Sequence, residues 1–345
     1  MNVYLQLFWL EEVLYLYLWV ASKNKTMKII KSILMIFGVL FIGSTLIFAV
    51  QQGHLSYTPE KPDAVVVNSD KSVAEEYRIT AIEIPSDLNF AGEKVPQDDP
   101  EIMERIDREF LVNTYWQSNA VLLLKRANKY FPVIEPILAK NGIPDDFKYL
   151  AVAESGLQNV VSPAGAAGFW QIMKATGKEY GLEVNANVDE RYHLGMATQL
   201  ACEYLKRNKE KFGSWTLAAA SYNAGAGAID KYMGIQQETD YYDLLLGDET
   251  GRYVFRILAI KEILTHPEKY GFELGKEDLY ETVPTFDVKV NKPVEDFATF
   301  AKEYNINYKI LKRHNPWLRE PHLNNASGKE YTIEIPEKGY YSVSR

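Results

Sequence analysis

The sequence predicts a mainly α protein: a central all-α domain, a small C-terminal βααβ unit and an N-terminal membrane anchor. Apolar residues recur at helical spacing almost without a break from about 98 to 275. Two short stretches near the C-terminus alternate like strands, and an uncharged apolar run stands near the N-terminus behind a group of lysines. The 345 residues leave room for a sizeable core and more than one folding unit. Hydrophobic residues make up 47% and charged residues 24%, an ordinary globular composition. The formal charge of −8 argues against a nucleic-acid partner held through its phosphates. The one cysteine, Cys202, allows no intrachain disulfide and reads as a small apolar helix residue. The five histidines (His54, His193, His266, His314 and His322) show no metal-ligand spacing, so no metal is expected.

Taken in order, residues 33–50 form the apolar run, and Lys23, Lys25, Lys28 and Lys31 precede it. That span suffices to cross a bilayer, and the lysines should hold its start in the cytoplasm and send the C-terminal bulk of the chain outward. No small-x-small cleavage site follows it, so an uncleaved signal anchor is favoured over a removed signal peptide. Met1 to Thr26 is apolar, aromatic and broken by Glu11-Glu12, whereas Met27 opens a conventional export signal; translation is expected to start there. Residues 51–97 are polar and proline-bearing and read as a flexible linker.

The central domain, 98–275, opens at Asp99-Pro100-Glu101, a capping acid, a first-turn proline and an acid favoured by the helix dipole. Asn141-Gly142 reads as a C-cap before Pro144 opens the next helix. There Phe147, Leu150, Ala151 and Glu154 fall at i, i+3, i+4 and i+7, so an apolar stripe ends in a carboxylate and Gly156 stops the helix. A glutamate on that stripe should be partly desolvated, with a raised pKa suited to a general acid. The structural alternative is a core-edge glutamate paired with a nearby cation. The small-residue loop Ser162 to Gly168 would let backbone approach a ligand, and an amphipathic helix is expected from Gly168-Phe169-Trp170-Gln171 through Tyr180. Asp189-Glu190-Arg191 should begin a long helix ending at Phe212-Gly213, and Ser214 should cap another running to Gly225. A last helix places Tyr253, Ile257, Ile260 and Leu264 on its inner stripe. Residues 276–345 then give strand, two helices and strand.

Four stretches in this order carry a resemblance: Glu154-Ser155, Gly168-Phe169-Trp170-Gln171, Ser221-Tyr222-Asn223-Ala224-Gly225, and Glu249-Thr250-Gly251-Arg252-Tyr253. Residues 98–275 resemble the lytic transglycosylase domain of the soluble-transglycosylase type, which is related to goose-type lysozyme. The resemblance implies a lysozyme-like catalytic domain, no cofactor, and peptidoglycan glycan strands as partner. It also implies cleavage of the β-1,4 MurNAc–GlcNAc bond with formation of a 1,6-anhydro product. Glu154 would be the single general acid and then base. Ser155, Gln171, Tyr222, Asn223 and Tyr253 would bind substrate, and Tyr253 would also hydrogen-bond Glu154 and help hold its proton. Phe169 and Trp170 are expected to pack rather than stack on sugar, while Glu190 and Glu249 read as helix-start acids. The C-terminal unit resembles a LysM module, but Asn291-Lys292-Pro293-Val294 stands where the usual Gly-Asp-Thr-Leu would follow the first strand. Two rivals remain: a hydrolytic muramidase on the same fold, and a non-catalytic peptidoglycan-binding scaffold.

Overall fold

The computed structural model describes residues 79–341. The upstream segment, the anchor at 27–50 and most of the expected linker lie outside the described residues. Within them, no helix is long and apolar enough to cross a membrane.

Residues 79–97, expected as the end of a spacer, are instead part of the fold. Leu88, Phe90 and Val95 are buried in the main core, and a short hairpin pairs β1 (Asn89–Phe90) with β2 (Glu93–Lys94). These apolar residues are too few and too widely spaced to show a period. Glu93 fixes the hairpin by accepting from the first two amides of a later helix, Trp215 N at 2.6 Å and Thr216 N at 2.8 Å. Those donors have no partner within their own helix, and the carboxylate also suits the dipole there.

Eight helices follow: α1 (Pro100–Tyr115), α2 (Gln117–Lys140), α3 (Phe147–Ser155), α4 (Lys174–Glu179), α5 (Leu194–Phe212), α6 (Trp215–Ala224), α7 (Ala226–Gln236) and α8 (Asp248–Thr265). Asp99 caps α1 through the Glu101 and Ile102 amides, and Ser214 caps α6 through Leu217 N at 3.0 Å. Helix α8 packs along α1, α3 and α6, with Tyr253, Ile257 and Ile260 buried on its inner stripe. Cys202 is buried in α5, where loss of hydration pushes its thiol up to about 12.

The C-terminal unit has the expected order. Strand β3 (Thr285–Val290) pairs antiparallel with β4 (Tyr331–Pro336), Val288 opposite Ile333, and helices α9 (Phe297–Glu303) and α10 (Tyr308–His314) connect them. Phe297, Leu311, Ile333 and Ile335 form its core. That core continues into Ala167, Val188 and Tyr192 of the preceding domain. Asp189 N donates to Trp317 O and Arg319 N to Asn187 O, both at 2.9 Å. The loop around 187–192 is therefore shared between the two parts.

Candidate active site

The stripe on α3 is buried as its spacing predicts: Phe147, Leu150 and Ala151 have no exposed surface. Glu154 follows one turn later, half-buried, and Gly156 ends the helix at φ 58°, a left-handed conformation that favours glycine. Burial pushes the Glu154 carboxyl up to about 7. The Tyr253 hydroxyl, which donates to Glu154 Oε1, opposes the rise; the Glu249 charge adds to it and Arg256 opposes it. This corrects one expected role. A donor on a carboxylate stabilises the ionised form, so Tyr253 holds Glu154 in place and eases loss of its proton rather than retaining it. Both Tyr253 and Tyr222 have phenol pKa values raised well above the usual range by burial and by the Glu154 charge, so both stay protonated donors.

The loop that follows α3, joined to it by the Ser155 hydroxyl on the Phe169 carbonyl, is built differently from the helix expected there. Only Lys174–Glu179 is helical; Ala167 and Ile172 form an antiparallel bridge, and 168–171 is a turn. Gly168 at φ 84° and Gln171 at φ 45° are left-handed, which no continuous helix accepts. Met173, within the span expected to be helical, is exposed. Phe169 packs edge-on against Tyr130, and Trp170 is fully buried with its indole N–H on Thr198 Oγ1 at 2.8 Å, so both pack.

The turn is pinned from three sides. The Ser155 hydroxyl lies 2.7 Å from the Phe169 carbonyl, and Tyr222 OH donates to the Trp170 carbonyl at 2.7 Å. Arg191 supplies the third hold. Its guanidinium is clasped by Asp189 at 2.9 and 2.8 Å and reaches the carbonyls of Gly165 and Ile172, both at 3.0 Å. Sequence reasoning placed Asp189-Glu190-Arg191 at a helix start. The structure instead puts Glu190–Tyr192 in a 3-10 turn, and α5 begins at Leu194 with His193 as its cap. The buried Glu190 carboxylate accepts from Glu183 N at 2.6 Å and closes that loop. Nothing in the spacing distinguishes a helix-start triplet from a buried Asp–Arg pair; a bidentate Asp–Arg fork of this kind is legible only once the loop is folded.

A Cβ at Gly168 would run into the Arg191 carbonyl. The Gly168→Ala variant is therefore expected to lose more than about 1 kcal/mol, measured by denaturant unfolding, because strain at positive φ adds to the clash. Unchanged stability would show that the turn can shift.

The remaining expected residues also converge here. Gln171 commits its amide nitrogen to the Gly168 carbonyl at 2.8 Å and the Val160 carbonyl at 3.1 Å, leaving its amide oxygen to meet a ligand. Asn223 accepts from Thr250 Oγ1 at 2.8 Å, leaving its amide nitrogen. Glu249 is exposed in the first turn of α8, in keeping with a helix-start acid. The site thus offers one carboxyl poised near neutrality, two phenols and two side-chain amides, and the described residues hold no cluster of His, Cys, Asp and Glu suited to a metal ion. Arg256 and its partner Glu109 belong to this electrostatic setting and were not singled out from sequence; their positions on α8 and α1 carry no periodic signal beyond that of surface charge.

Residues 132–245 match the family model described as "Transglycosylase SLT domain", and residues 286–339 match "Soluble lytic transglycosylase C-terminal LysM-like domain". The chain is 32% identical over 258 residues to membrane-bound lytic murein transglycosylase D of Escherichia coli K12, covering 72% of this chain and 55% of that protein. The protein of the same name from Escherichia coli O6:H1 matches equally. The chain spans just over half the length of these curated relatives. A solved structure of an inactive mutant of lytic transglycosylase Slt from Pseudomonas aeruginosa aligns at 20% identity and a TM-score of 0.35. That alignment covers 44% of this chain and 26% of that one, too slight a likeness to bear on the fold.

Proposed function

We propose that this chain, which carries a transglycosylase SLT domain followed by a LysM-like domain, is a peptidoglycan lytic transglycosylase. It would cleave the β-1,4 bond between MurNAc and GlcNAc and leave 1,6-anhydroMurNAc ends. The observation that carries the reading is the Glu154 carboxyl, raised to about 7 by burial and clasped by Tyr253 where α3, the 168–171 turn, α6 and α8 meet. Most glycosidases divide acid and nucleophile between two carboxylates. Here a single one suffices if the substrate supplies the nucleophile.

Protonated Glu154 gives its proton to the glycosidic oxygen as the C1–O bond breaks, and the departing sugar leaves with a free hydroxyl. The neighbouring N-acetyl carbonyl stabilises the cationic C1. Ionised Glu154, now held by the Tyr253 donor, takes the proton from the C6 hydroxyl as that oxygen bonds to C1. Acid–base help of this kind contributes roughly 10²–10⁴-fold. Asn223 and Gln171, each with one amide group left over, are suited to hold the reacting sugar. Ser155 and Tyr222 act through the turn that they pin, since their hydroxyls already meet the Phe169 and Trp170 carbonyls.

Mass analysis of products released from purified sacculi tests the reading. Anhydro ends, lighter by one water than reducing ends, are expected; reducing ends would make the chain a muramidase, and binding without release would make it a scaffold. The Tyr253→Phe variant tests the clasp. A hydrogen bond to a charged group is worth about 1.5–3 kcal/mol, so its loss should move the alkaline limb of activity upward by about one pH unit or more. An unmoved limb would detach Tyr253 from the titration of Glu154.

The N-terminal lysines and apolar run favour attachment at the periplasmic side of the inner membrane by a signal anchor, with release after signal cleavage as the alternative. The name of the Escherichia coli relative, which calls that protein membrane-bound, agrees with a place in the cell envelope.

A further inference from the structure

We infer that the C-terminal unit positions the candidate active site: Asn187 and Tyr331 lock that unit to the 183–192 loop, whose Arg191 sets the turn carrying Gln171. The inference rests on the transglycosylase reading above and adds positioning residues to that same site.

The joint begins in the backbone. Val188 bridges antiparallel to Leu318, Asp189 N donates to the Trp317 carbonyl, and Arg319 N donates to the Asn187 carbonyl. Residues 187–189 are thus paired, strand-like, with the segment that follows α10. Side chains then close the joint. Asn187 donates through Nδ2 to the His322 carbonyl at 2.8 Å and accepts through Oδ1 from Asn324 N at 2.9 Å. Tyr331 OH, on β4, donates to Glu183 Oε2 at 2.9 Å, and Lys329 Nζ stands 3.4 Å from the same oxygen. The Tyr331 ring is stacked on Trp317, with centroids 5.6 Å apart, so the core behind it aims the hydroxyl. Arg319 lies over the Tyr192 ring, 4.0 Å from its centroid.

The same loop reaches the candidate site. Its Arg191, clasped by Asp189, donates to the carbonyls of Gly165 and Ile172. Ala167 lies between those two carbonyls in the chain and exchanges both backbone hydrogen bonds with Ile172 at 3.0 Å. It is also fully buried, and with Val188 and Tyr192 it belongs to the core of the C-terminal unit. The turn at 168–171 is therefore closed by a pair of residues, one of which packs on that unit. Gln171 sits in this turn at a left-handed φ of 45°. A side chain on such a backbone keeps its direction only while the surroundings over-determine the turn. Here the surroundings include the C-terminal unit.

The test uses the full chain and the Asn187→Ala/Tyr331→Phe variant. The two changes remove three hydrogen bonds across the joint and leave the Trp317 stack and every residue given a part in the chemistry. By hydrogen exchange, the Ala167 and Ile172 amides should open about tenfold or more faster, the order expected from losing several bonds of modest net worth. The α8 amides should keep the parent rate, which shows the fold intact. Turnover of purified sacculi should fall about tenfold or more, and the alkaline limb should stay in place because Glu154 and Tyr253 are untouched. A joint that only tethers the C-terminal unit would free the Arg319 and Asn324 amides alone. Unchanged exchange at Ala167 and Ile172 would overturn the inference. So would a shifted limb, which would put the loss at Glu154 rather than at the turn.

A second pair of variants guards against a misfolded first. Glu183→Gln keeps an acceptor for Tyr331 and should match the parent, whereas Glu183→Ala should speed exchange in the turn and slow turnover. Equal behaviour of the two would overturn the inference. A parent chain that released no anhydro products would overturn the proposed reaction, and the exchange comparison would still decide whether the C-terminal unit holds the turn. A loosened turn with full turnover would overturn the inference and leave the reaction standing.

Discussion

The Glu154→Gln variant is expected to fold as the parent does and to release no muropeptides, with turnover reduced by at least roughly 10²–10⁴-fold. Glutamine keeps the shape and can still accept from the Tyr253 hydroxyl, but it has no proton to give at neutral pH. Retained turnover would remove Glu154 from the chemistry. The same residue sets a pH dependence in two measurements. In the proposed reaction the carboxyl must start protonated, so activity is expected to fall as pH rises through about 7. Stability follows the same titration. Because the carboxyl is shifted from an ordinary 4.5 to about 7 by folding, its favourable share is complete below about 4.5 and lost as pH rises to about 7. The full shift corresponds to on the order of 3 kcal/mol, less whatever water reaches the half-buried tip. The variant should therefore be more stable than the parent at pH 8 and no more stable at pH 4.5, by denaturant unfolding. Equal stability at pH 8 would mean that the parent carboxyl is well hydrated and its pKa ordinary.

Glu154 was legible in the sequence because it ends a stripe: three apolar residues at helical spacing fix which face is inward, and the carboxyl continues that face. Tyr253 was legible for the same reason on α8. The C-terminal unit was legible because strand alternation and helical spacing switch there within a few residues, and two caps, at Asp99 and Ser214, announce themselves by residue type. The 168–173 turn was not legible. Its residues satisfy a helical pattern, and what defeats the helix is a set of distant partners: Arg191 for the Ile172 carbonyl, Tyr222 for the Trp170 carbonyl, Thr198 for the indole. The 79–97 segment was misread as spacer because three buried apolar residues in a polar stretch leave no period to detect. In both places tertiary contacts decided what local spacing could not, and in the first the result is a turn held by Ser155, Tyr222 and Arg191.

Glu109 lies on α1 with its side chain 2% exposed, against Arg108, Arg252 and Arg256. Its Oε1 is 3.3 Å from Arg252 Nη1 and its Oε2 is 3.5 Å from Arg256 Nε, so one buried carboxylate faces two guanidinium groups of α8. The Glu109→Ala variant leaves those cations without compensation in the contact between α1 and α8. Breaking such a buried arrangement costs about 3–5 kcal/mol. Each arginine retains 26% of its side-chain exposure, so water recovers part of the loss and the low end is expected. For a domain of this size that lowers the melting temperature by about 6–10 °C. A second consequence reaches the site, because the Arg256 charge acts on Glu154 and Glu109 offsets part of that charge. With Glu109 removed, the field of Arg256 favours ionised Glu154 more strongly, and the alkaline limb of activity should move to lower pH. A loss below about 1 kcal/mol with an unmoved limb would show the cluster to be hydrated and without bearing on the site. Rescue separates charge from packing: adding Arg252→Met and Arg256→Met to Glu109→Leu should recover most of the stability if the penalty is an uncompensated pair of cations. If the penalty is a lost shape, the added substitutions will deepen it.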